Sequence, residues 1–514
     1  MAEIRSIAFV GFMGAGKTTA AQATGEVLGE SVVDADEEIE RVLGEPIAAF
    51  FAREGEAAFR ERERELTLEL LGRGGVVSFG GGAVESEPIR EALASHITAW
   101  CRVDEEVAWK RSQDTGRPLA ADRDEFARRH AARLPLYEQV ARAVLPQGGR
   151  EAGAESAPWL AALRSQPDVR IAWARSATGS YPAAVGPGAA SLLADPGVAD
   201  ALPAQRWFAI ADATALRHHD SLLPDCETVI AVEASEERKT LDEAERVLRE
   251  LARAGARRDD GVIALGGGVV GDLGGFCAAV YQRGLPVVHI PTTLVAQVDS
   301  AYGGKTGVDL PEGKNYVGAY HLPAAVLADP GALATLPEEE LAAGFVEVLK
   351  TALIAGEPLW TRVSEIESLE PSSLADVVFA CARAKIDVVA ADERDEGRRA
   401  VLNLGHTVGH AIEAATGYRS YRHGEAVGLG LLAALSLSGA DELRESVRSI
   451  LDRHGLPTQL EDGAETDDVL AAAARDKKAT ADGVGFVLLD RPGEPRESER
   501  VDPETLRAAI EELR

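Results

Sequence analysis

Apolar and polar positions alternate along the first 140 residues in the pattern of an α/β protein. Short apolar runs such as residues 4–10 and 76–79 predict buried strands, and the segments between them, such as residues 18–28, have helical composition. This alternation predicts a parallel sheet with helices on both sides. Residues 146–157 contain few large apolar groups and predict a loop or linker. A short helix is expected after it, before the next strand.

Strand-like runs return after residue 167 and give way to helical segments beyond residue 330. The predicted strands cover residues 169–173, 207–211, 228–232, 262–265 and 287–290. Segments rich in Ala, Leu and Glu predict helices at residues 338–354 and 425–437. We therefore predict three domains: α/β over residues 1–166, α/β over residues 167–330 and mostly helical over residues 331–514.

Composition limits the classes of partner. A chain of 514 residues is too long for one hydrophobic core. Its 84 acidic and 54 basic residues give a formal net charge of -30, which argues against nucleic acid or an anionic membrane as a partner. The four cysteines form no CxxC pair, and no apolar run reaches the ~18 residues of a membrane span. We expect a cytoplasmic protein without a signal peptide.

A phosphate-binding pattern follows the first predicted strand. Residues 11–18 fit GxxxxGK[ST], placed between a strand and a helix as the motif requires. Backbone N–H groups of such a loop hold phosphates, Lys17 is expected on the outer phosphates, and the Thr18 hydroxyl is expected on Mg²⁺. The residues expected to bind ATP are Gly11, Gly14, Gly16, Lys17, Thr18 and Thr19.

Two carboxylates, Asp34 and Asp36, follow the next predicted strand, and alone they suit a helix cap as well as catalysis. Together with four other motifs they resemble shikimate kinase over residues 1–166. Those motifs are Phe59-Arg60, Gly80-Gly81-Gly82, Arg117-Pro118-Leu119 and Arg133-Leu134-Pro135-Leu136-Tyr137.

The resemblance implies ATP-dependent phosphorylation of the 3-hydroxyl of shikimate. Asp34 would lie on the Mg²⁺ side, and Asp36 would hold the acceptor hydroxyl as a base. Arg117 would come from a lid over the phosphates. The residues implied to bind shikimate, besides Asp36, are Arg60, Gly81, Gly82 and Arg133.

A second set of residues indicates a metal site. His406 and His410 are four positions apart, which places both on one face of a helix. Glu347 precedes them and His423 follows. Imidazoles combined with one carboxylate are typical of catalytic zinc. An isolated pair of this spacing is more often structural, so the surrounding motifs decide for a metal.

Those surrounding motifs resemble 3-dehydroquinate synthase over residues 167–514. They are Gly266-Gly267-Gly268-Val269-Val270-Gly271-Asp272, Pro291-Thr292-Thr293, residues 299–307 and Gly313-Lys314-Asn315. The resemblance implies conversion of 3-deoxy-arabino-heptulosonate 7-phosphate to 3-dehydroquinate and phosphate, with NAD and a divalent metal. Zn²⁺, or Co²⁺, would be bound by Glu347, His406 and His423, and His410 would transfer a proton.

The same resemblance implies residues for each ligand. NAD would be contacted by Asp212, Glu236, Lys239, Gly267, Gly268, Asp272, Thr292 and Thr293. The heptulosonate phosphate would be surrounded by Asp299, Lys305, Lys314, Asn315, Lys350, Lys385, Arg399, Asn403, His410 and Lys477. Arg283 would reach the phosphate from a neighbouring subunit, which implies a homodimer. Thr214, Ala301 and Tyr302 depart from the family pattern.

We therefore predict a bifunctional enzyme of aromatic amino-acid biosynthesis: a P-loop kinase domain fused to a Rossmann-like α/β domain and a helical metal-binding domain. One alternative makes the second half another sugar-phosphate cyclase, or a polyol dehydrogenase, on the same NAD and zinc frame. The many basic residues implied for the substrate argue against a dehydrogenase. Another alternative makes the first half a regulatory nucleotide-binding module, against which the presence of Lys17, Asp36 and Arg133 argues.

Overall fold

The computed structural model describes residues 5–113, 122–146, 149–395, 397–461, 463–474 and 484–514. Arg117 and Lys477 lie outside these described residues. The chain forms two compact units: residues 1–174, 182–184 and 191–203 make the first, and residues 175–181, 185–190 and 204–514 make the second. The strand Ser180–Val185 has residues in both. Within the described ranges, no helix is long and apolar enough to cross a membrane.

The first unit contains a parallel sheet. Its described strands are, in spatial order, Val32–Asp34, Val76–Ser78, Ile7–Val10, Ile97–Cys101, Ala143–Leu145 and Arg170–Arg175. Ile7–Val10 is buried along its whole length, as expected for an inner strand covered on both faces. The described helices are Lys17–Leu28, Ala35–Leu43, Ile47–Arg73, Glu87–Leu93, Glu105–Ser112, Arg123–Val140, Arg150–Ala162 and Pro196–Ala201.

The helix Arg150–Ala162 overturns the loop predicted over residues 146–157, which was wrong from residue 150 onward. Its Ala and Glu residues favour a helix, and its small residues allow close packing on the helix Lys17–Leu28. A Cβ at Gly153 would lie only 2.2 Å from the carbonyl oxygen of Ala20. The Thr24 hydroxyl donates to the Gly153 carbonyl at 2.9 Å. Glycine therefore serves helix packing here.

The second unit contains another parallel sheet, with the strand order Ala325–Ala328, Val287–Pro291, Gly261–Gly266, Trp207–Asp212 and Thr228–Val232. Four of these strands confirm the predicted ones to within one residue at each end. The helices beside the sheet are Ala213–His219, Leu241–Arg253 and Gly268–Val280. An antiparallel hairpin, Lys305–Leu310 with Gly313–Tyr320, was not predicted.

Beyond residue 330 the second unit is mostly helical, as predicted. The described helices are Glu338–Ala355, Leu359–Ser364, Pro371–Ala391, His406–Ala415, His423–Leu437, Asp441–Arg453, Thr466–Ala473 and Pro503–Glu511. A hairpin, Val484–Leu489 with Pro495–Val501, interrupts them. A Cβ at Gly430 would lie 2.0 Å from the Gly405 carbonyl oxygen, so the two helices that begin at His406 and His423 pack closely.

Candidate active sites

The phosphate-binding loop joins the strand Ile7–Val10 to the helix Lys17–Leu28. Gly14 and Gly16 have φ values of 76° and 83°, a region that only glycine enters at little cost. Gly16 caps the helix without a side-chain hydrogen bond to the first helical N–H groups, and a helix start of this kind suits an anion. The predicted ATP contacts lie on this loop and on the first turn of the helix, and they remain predictions.

Asp34 has two sets of partners. Its Oδ1 accepts hydrogen bonds from the backbone N–H of Asp36 at 3.0 Å and of Glu37 at 3.4 Å, which caps the helix Ala35–Leu43. Its Oδ2 accepts a hydrogen bond from the Thr18 hydroxyl at 2.7 Å. Asp34 can therefore cap the helix through Oδ1 and face Mg²⁺ through Oδ2. The Oδ2 atom and the Thr18 hydroxyl form a pair of oxygens of the kind that Mg²⁺ prefers.

The glycine turn after the strand Val76–Ser78 brings the predicted acceptor residues together. A Cβ at Gly80 would lie 2.8 Å from Oδ1 of Asp36 and 2.9 Å from Oε1 of Glu63, and one at Gly82 would lie 2.4 Å from NH1 of Arg60. NH1 of Arg60 donates to Oε2 of Glu63 at 2.6 Å. Burial raises the pKa of Glu63, although Arg60 opposes this shift.

Arg133 lies beside this turn and is only 2% exposed. Its Nε donates to Oε1 of Glu85 at 2.9 Å, whereas its buried NH2 has no hydrogen-bond partner among the described residues. The Tyr137 hydroxyl donates to the Gly81 carbonyl at 2.6 Å, and burial raises its pKa. Sequence reasoning did not identify Glu63 and Glu85. Two adjacent guanidinium groups, one with an unfilled donor, suit a carboxylate ligand.

In the second unit, three imidazoles and one carboxylate meet. The ligand atoms of His406, His410 and His423 lie within 4.8 Å of one another. Oε1 of Glu347 lies 3.5 Å from Nε2 of both His406 and His423. Lys350 Nζ forms a buried ion pair with Oε2 of Glu347 at 2.5 Å.

Glu347 is 1% exposed: its Oε2 is paired with Lys350, whereas its Oε1 faces the imidazoles and accepts no hydrogen bond from the part of the chain that the structure describes. A buried carboxylate of this kind, facing imidazoles, fits a divalent metal. His410 belongs to the same cluster. Its predicted place off the metal therefore stays a prediction, as does the ligand set.

A second buried carboxylate, Glu413, stands behind this cluster. Its Oε2 lies 3.4 Å from Nδ1 of His423, and its Oε1 lies 3.7 Å from Nζ of Lys314. His423 thus directs Nδ1 to Glu413 and Nε2 to Glu347, the arrangement by which a carboxylate orients a metal-binding imidazole. Sequence reasoning missed Glu413. Its position three residues after His410, on the same helix face, is the signal that identifies it.

A polar cavity of about 300 Å³ adjoins the histidines and contains most of the predicted substrate residues. They are Asp299, Lys305, Asn315, Lys350, Lys385, Arg399, Asn403 and His410. Asp299 accepts hydrogen bonds from Lys350 at 2.9 Å and from Lys385. Burial would raise the pKa of Asp299, but these two lysines hold it below its ordinary value. The cavity is therefore rich in cations, although the whole chain is acidic.

A larger cavity of about 1220 Å³ shares Asp272, Asn315, His410 and His423 with the first. Four of the predicted NAD residues line it: Glu236, Lys239, Gly268 and Asp272. Lys314, predicted for the phosphate, also lines this cavity and not the smaller one. Lys239 Nζ donates to Asn315 Oδ1 at 2.9 Å and to Asp272 Oδ2 at 3.3 Å. Burial raises the pKa of Asp272 to about 6 against the pull of Lys239.

The remaining predicted NAD residues stand at the carboxyl ends of the parallel strands. Gly266 has a φ of 155°, and its carbonyl oxygen accepts a hydrogen bond from the backbone N–H of Thr292 at 2.9 Å. A Cβ at Gly267 would lie 2.9 Å from Cγ2 of Thr293. Asp212 caps the helix that follows its strand. Dinucleotides bind at this edge of open α/β sheets, which fits the prediction.

Arg283 is exposed and lines neither cavity, so its contact with the phosphate from a neighbouring subunit stays a prediction. Tyr302, which departs from the family pattern, is 1% exposed. Its hydroxyl donates to the carbonyl of Gln297 at 2.9 Å, so the larger side chain is buried without an unsatisfied hydroxyl.

Family models match three segments of the chain: shikimate kinase at residues 13–162, 3-dehydroquinate synthase N-terminal at residues 229–343, and 3-dehydroquinate synthase C-terminal at residues 344–479. The 3-dehydroquinate synthase of Symbiobacterium thermophilum is 46% identical over 295 residues, which cover 55% of this chain and 82% of that protein. The Xylella fastidiosa 3-dehydroquinate synthase is 40% identical over 358 residues, which cover 64% and 89%.

Two solved structures share the fold of the second unit. A 2-deoxy-scyllo-inosose synthase complexed with carbaglucose-6-phosphate, NAD⁺ and Co²⁺ is 25% identical, with a TM-score of 0.59, and covers 67% of this chain and 99% of its own. A 2-epi-5-epi-valiolone synthase from Streptomyces hygroscopicus, with NAD⁺ and Zn²⁺ bound, is 29% identical, with a TM-score of 0.59, and covers 66% and 99%. The chain belongs to the 3-dehydroquinate synthase family and carries a shikimate kinase domain before the synthase, which makes it a bifunctional enzyme of the shikimate pathway.

Proposed function

We propose that the first unit transfers the terminal phosphoryl group of ATP to the 3-hydroxyl of shikimate. The Asp36 carboxylate takes the hydroxyl proton as the oxygen attacks phosphorus. Arg60 and Arg133 bind the shikimate carboxylate, and Lys17 contacts the outer phosphates. Thr18 and Asp34 would hold Mg²⁺, which neutralises phosphate charge when bound.

One observation carries this proposal: Asp36 and Arg60 lie against one glycine turn, Arg133 shares the partner Glu85 with Arg60, and a buried donor of Arg133 has no hydrogen-bond partner among the described residues. The turn's glycines leave room for a ligand where any side chain would collide with the charged groups. A purely regulatory nucleotide-binding module would have no use for a second anion-binding group beside a carboxylate base.

ADP release tests the kinase proposal directly. The full chain, given ATP, Mg²⁺ and shikimate, should release ADP only when shikimate is present. Asp36→Asn keeps the shape of the side chain and should abolish that dependence. Wild-type protein without shikimate-dependent ADP release would contradict the kinase activity and favour the regulatory alternative.

For the second unit, we propose conversion of 3-deoxy-arabino-heptulosonate 7-phosphate to 3-dehydroquinate and phosphate. Lys350, Lys385 and Arg399 bind the anionic substrate in the smaller cavity, and His410 moves a proton. Glu347, His406 and His423 would hold Zn²⁺ or Co²⁺, which polarises a hydroxyl and the carbonyl formed from it. Glu236, Lys239, Gly268 and Asp272 would hold NAD in the larger cavity, and the cofactor would supply a reversible hydride acceptor there. The NAD⁺ and metal named for both structural relatives support this assignment.

Phosphate release tests the synthase proposal. Release from the heptulosonate phosphate should require NAD and should stop when a chelator removes the metal. Activity that survives in metal-free protein would contradict the metal assignment. One structural relative is complexed with carbaglucose-6-phosphate, so a hexose 6-phosphate should be tried in parallel. Phosphate release from that sugar alone would favour the alternative cyclase.

We further propose that the synthase works as a homodimer in which Arg283 completes the partner's site. Its exposed position outside both cavities supports a contact in trans. Arg283→Ala and Lys350→Ala should each be inactive in phosphate release. Mixed subunits of the two variants should regain activity, because one site of each mixed dimer is intact. No recovery after subunit exchange would contradict the arrangement.

A further inference from the structure

The side-chain carboxylate of Glu85 contacts both arginines of the proposed acceptor site. Its Oε1 accepts the N–H of Arg133 Nε at 2.9 Å, and its Oε2 lies 3.6 Å from NH2 of Arg60. Glu85 ends the 3₁₀ turn Ala83–Glu85, directly after the glycine turn. Glu85 therefore occupies contacts that the proposed function assigns to the carboxylate of shikimate.

The contact with Arg133 is incomplete. A guanidinium binds a carboxylate best through two N–H groups on one edge, and Nε and NH2 share such an edge. Glu85 fills Nε, while NH2 has no partner among the residues that the structure describes. A free carboxylate that fills both positions gains a hydrogen bond that Glu85 does not make.

The charges around Arg60 favour the same exchange. NH1 of Arg60 donates to Glu63 at 2.6 Å, and its NH2 lies 3.4 Å from Glu56. With Glu85, three carboxylates face the two guanidinium groups of Arg60 and Arg133. These five groups carry a net negative charge, which repels the carboxylate of an incoming acceptor unless Glu85 turns away from the arginines. The Glu85 side chain is 40% exposed, so it can rotate into the solvent.

We propose that Glu85 is a specificity-determining residue of the acceptor site: it competes with the acceptor carboxylate for Arg133 and Arg60 and turns into solvent when that carboxylate binds. The competition weakens binding of the acceptor and takes no part in phosphoryl transfer. The inference rests on the proposed kinase function.

Glu85→Gln in the full chain tests this role, since it removes the charge and keeps the shape. The KM for shikimate should fall about threefold to tenfold, the range for loss of a partly exposed ion pair to a buried arginine, while kcat and the KM for ATP stay unchanged. Glu87→Gln is the matched control: it removes one exposed charge two residues away and should leave every constant unchanged. Glu85→Ala should lower the KM as well, which covers the case that Gln disturbs the turn.

Shikimate methyl ester separates competition from a general effect on the site. The ester has no carboxylate to displace Glu85, so wild type and Glu85→Gln should bind it with equal affinity in calorimetry. An unchanged or raised KM for shikimate in Glu85→Gln, with active wild type, would overturn the inference and make Glu85 a support for Arg133. Wild type without any shikimate-dependent ADP release would instead overturn the kinase proposal, so the two failures are distinguishable.

Discussion

A methyl group at Gly82 should displace Arg60 and leave the backbone in place. The added Cβ would lie 2.4 Å from NH1, 2.6 Å from NH2 and 2.7 Å from Cζ of Arg60. Gly82 has φ and ψ of −96° and −9°, a conformation that alanine adopts without strain. The guanidinium is the end of a flexible side chain, so it moves and the turn keeps its shape.

The size of the effect follows from the distances. An ordinary contact begins near 3.4 Å, so Arg60 must retreat by about 1 Å from its present position. A misplacement of about 1 Å costs on the order of 100-fold in rate when it separates a positioning group from its substrate. We therefore expect Gly82→Ala to lower kcat/KM for shikimate by about 10-fold to 100-fold.

Steady-state ADP release at varied shikimate measures this change. Gly72→Ala is the control, since its Cβ would meet nothing within 4 Å inside the helix Ile47–Arg73. That variant should keep wild-type kinetics and gain about 1 kcal/mol of stability, the difference in helix propensity. Wild-type kcat/KM in a folded Gly82→Ala protein would refute the assignment of Arg60 to the acceptor.

Three further predictions concern other parts of the chain. Glu413→Gln should weaken metal binding about 10-fold to 100-fold in chelator competition, because His423 loses its orienting carboxylate; unchanged affinity would contradict that role. Burial lowers the pKa of His289 to about 4. In the unfolded chain the pKa of this histidine is near 6.5, so between pH 7 and pH 4 the unfolded state binds a proton that the folded state does not bind. The free energy of unfolding should therefore fall by about 3 kcal/mol from pH 7 to pH 4. Urea denaturation at pH 7 and pH 4 should show a smaller fall in the free energy of unfolding for His289→Gln than for the wild type. Equal falls in the two proteins would contradict this role of His289. Gly153→Ala should destabilise the first unit by about 1–3 kcal/mol in thermal unfolding, because its Cβ meets backbone, and an unchanged transition would contradict the close packing.

Features encoded in short segments were predictable from the sequence. The strands at residues 207–211 and 262–265 are continuous apolar runs, and a buried parallel strand needs only such a run. The spacing of His406 and His410 placed both imidazoles on one helix face, and their rings lie 5.2 Å apart. In each case the pattern and the structure depend on the same few neighbouring residues.

Features that depend on distant neighbours were not predictable. The helix Arg150–Ala162 has a Gly- and Ala-rich start that resembles a loop until the helix it packs against is known. The hairpin that begins at Lys305 keeps one strand largely exposed, so it lacks a strong apolar signal. Glu85 is a single carboxylate in an acidic chain, and only the fold shows that it faces arginine.

The most direct test of a bifunctional chain measures both activities in one preparation of the full protein. Shikimate-dependent ADP release and NAD-dependent phosphate release should both occur in the wild type. Asp36→Asn should remove only the first activity, and Lys350→Ala only the second. Absence of either activity in the wild type, or loss of both in one folded variant, would contradict two separate active sites in one chain.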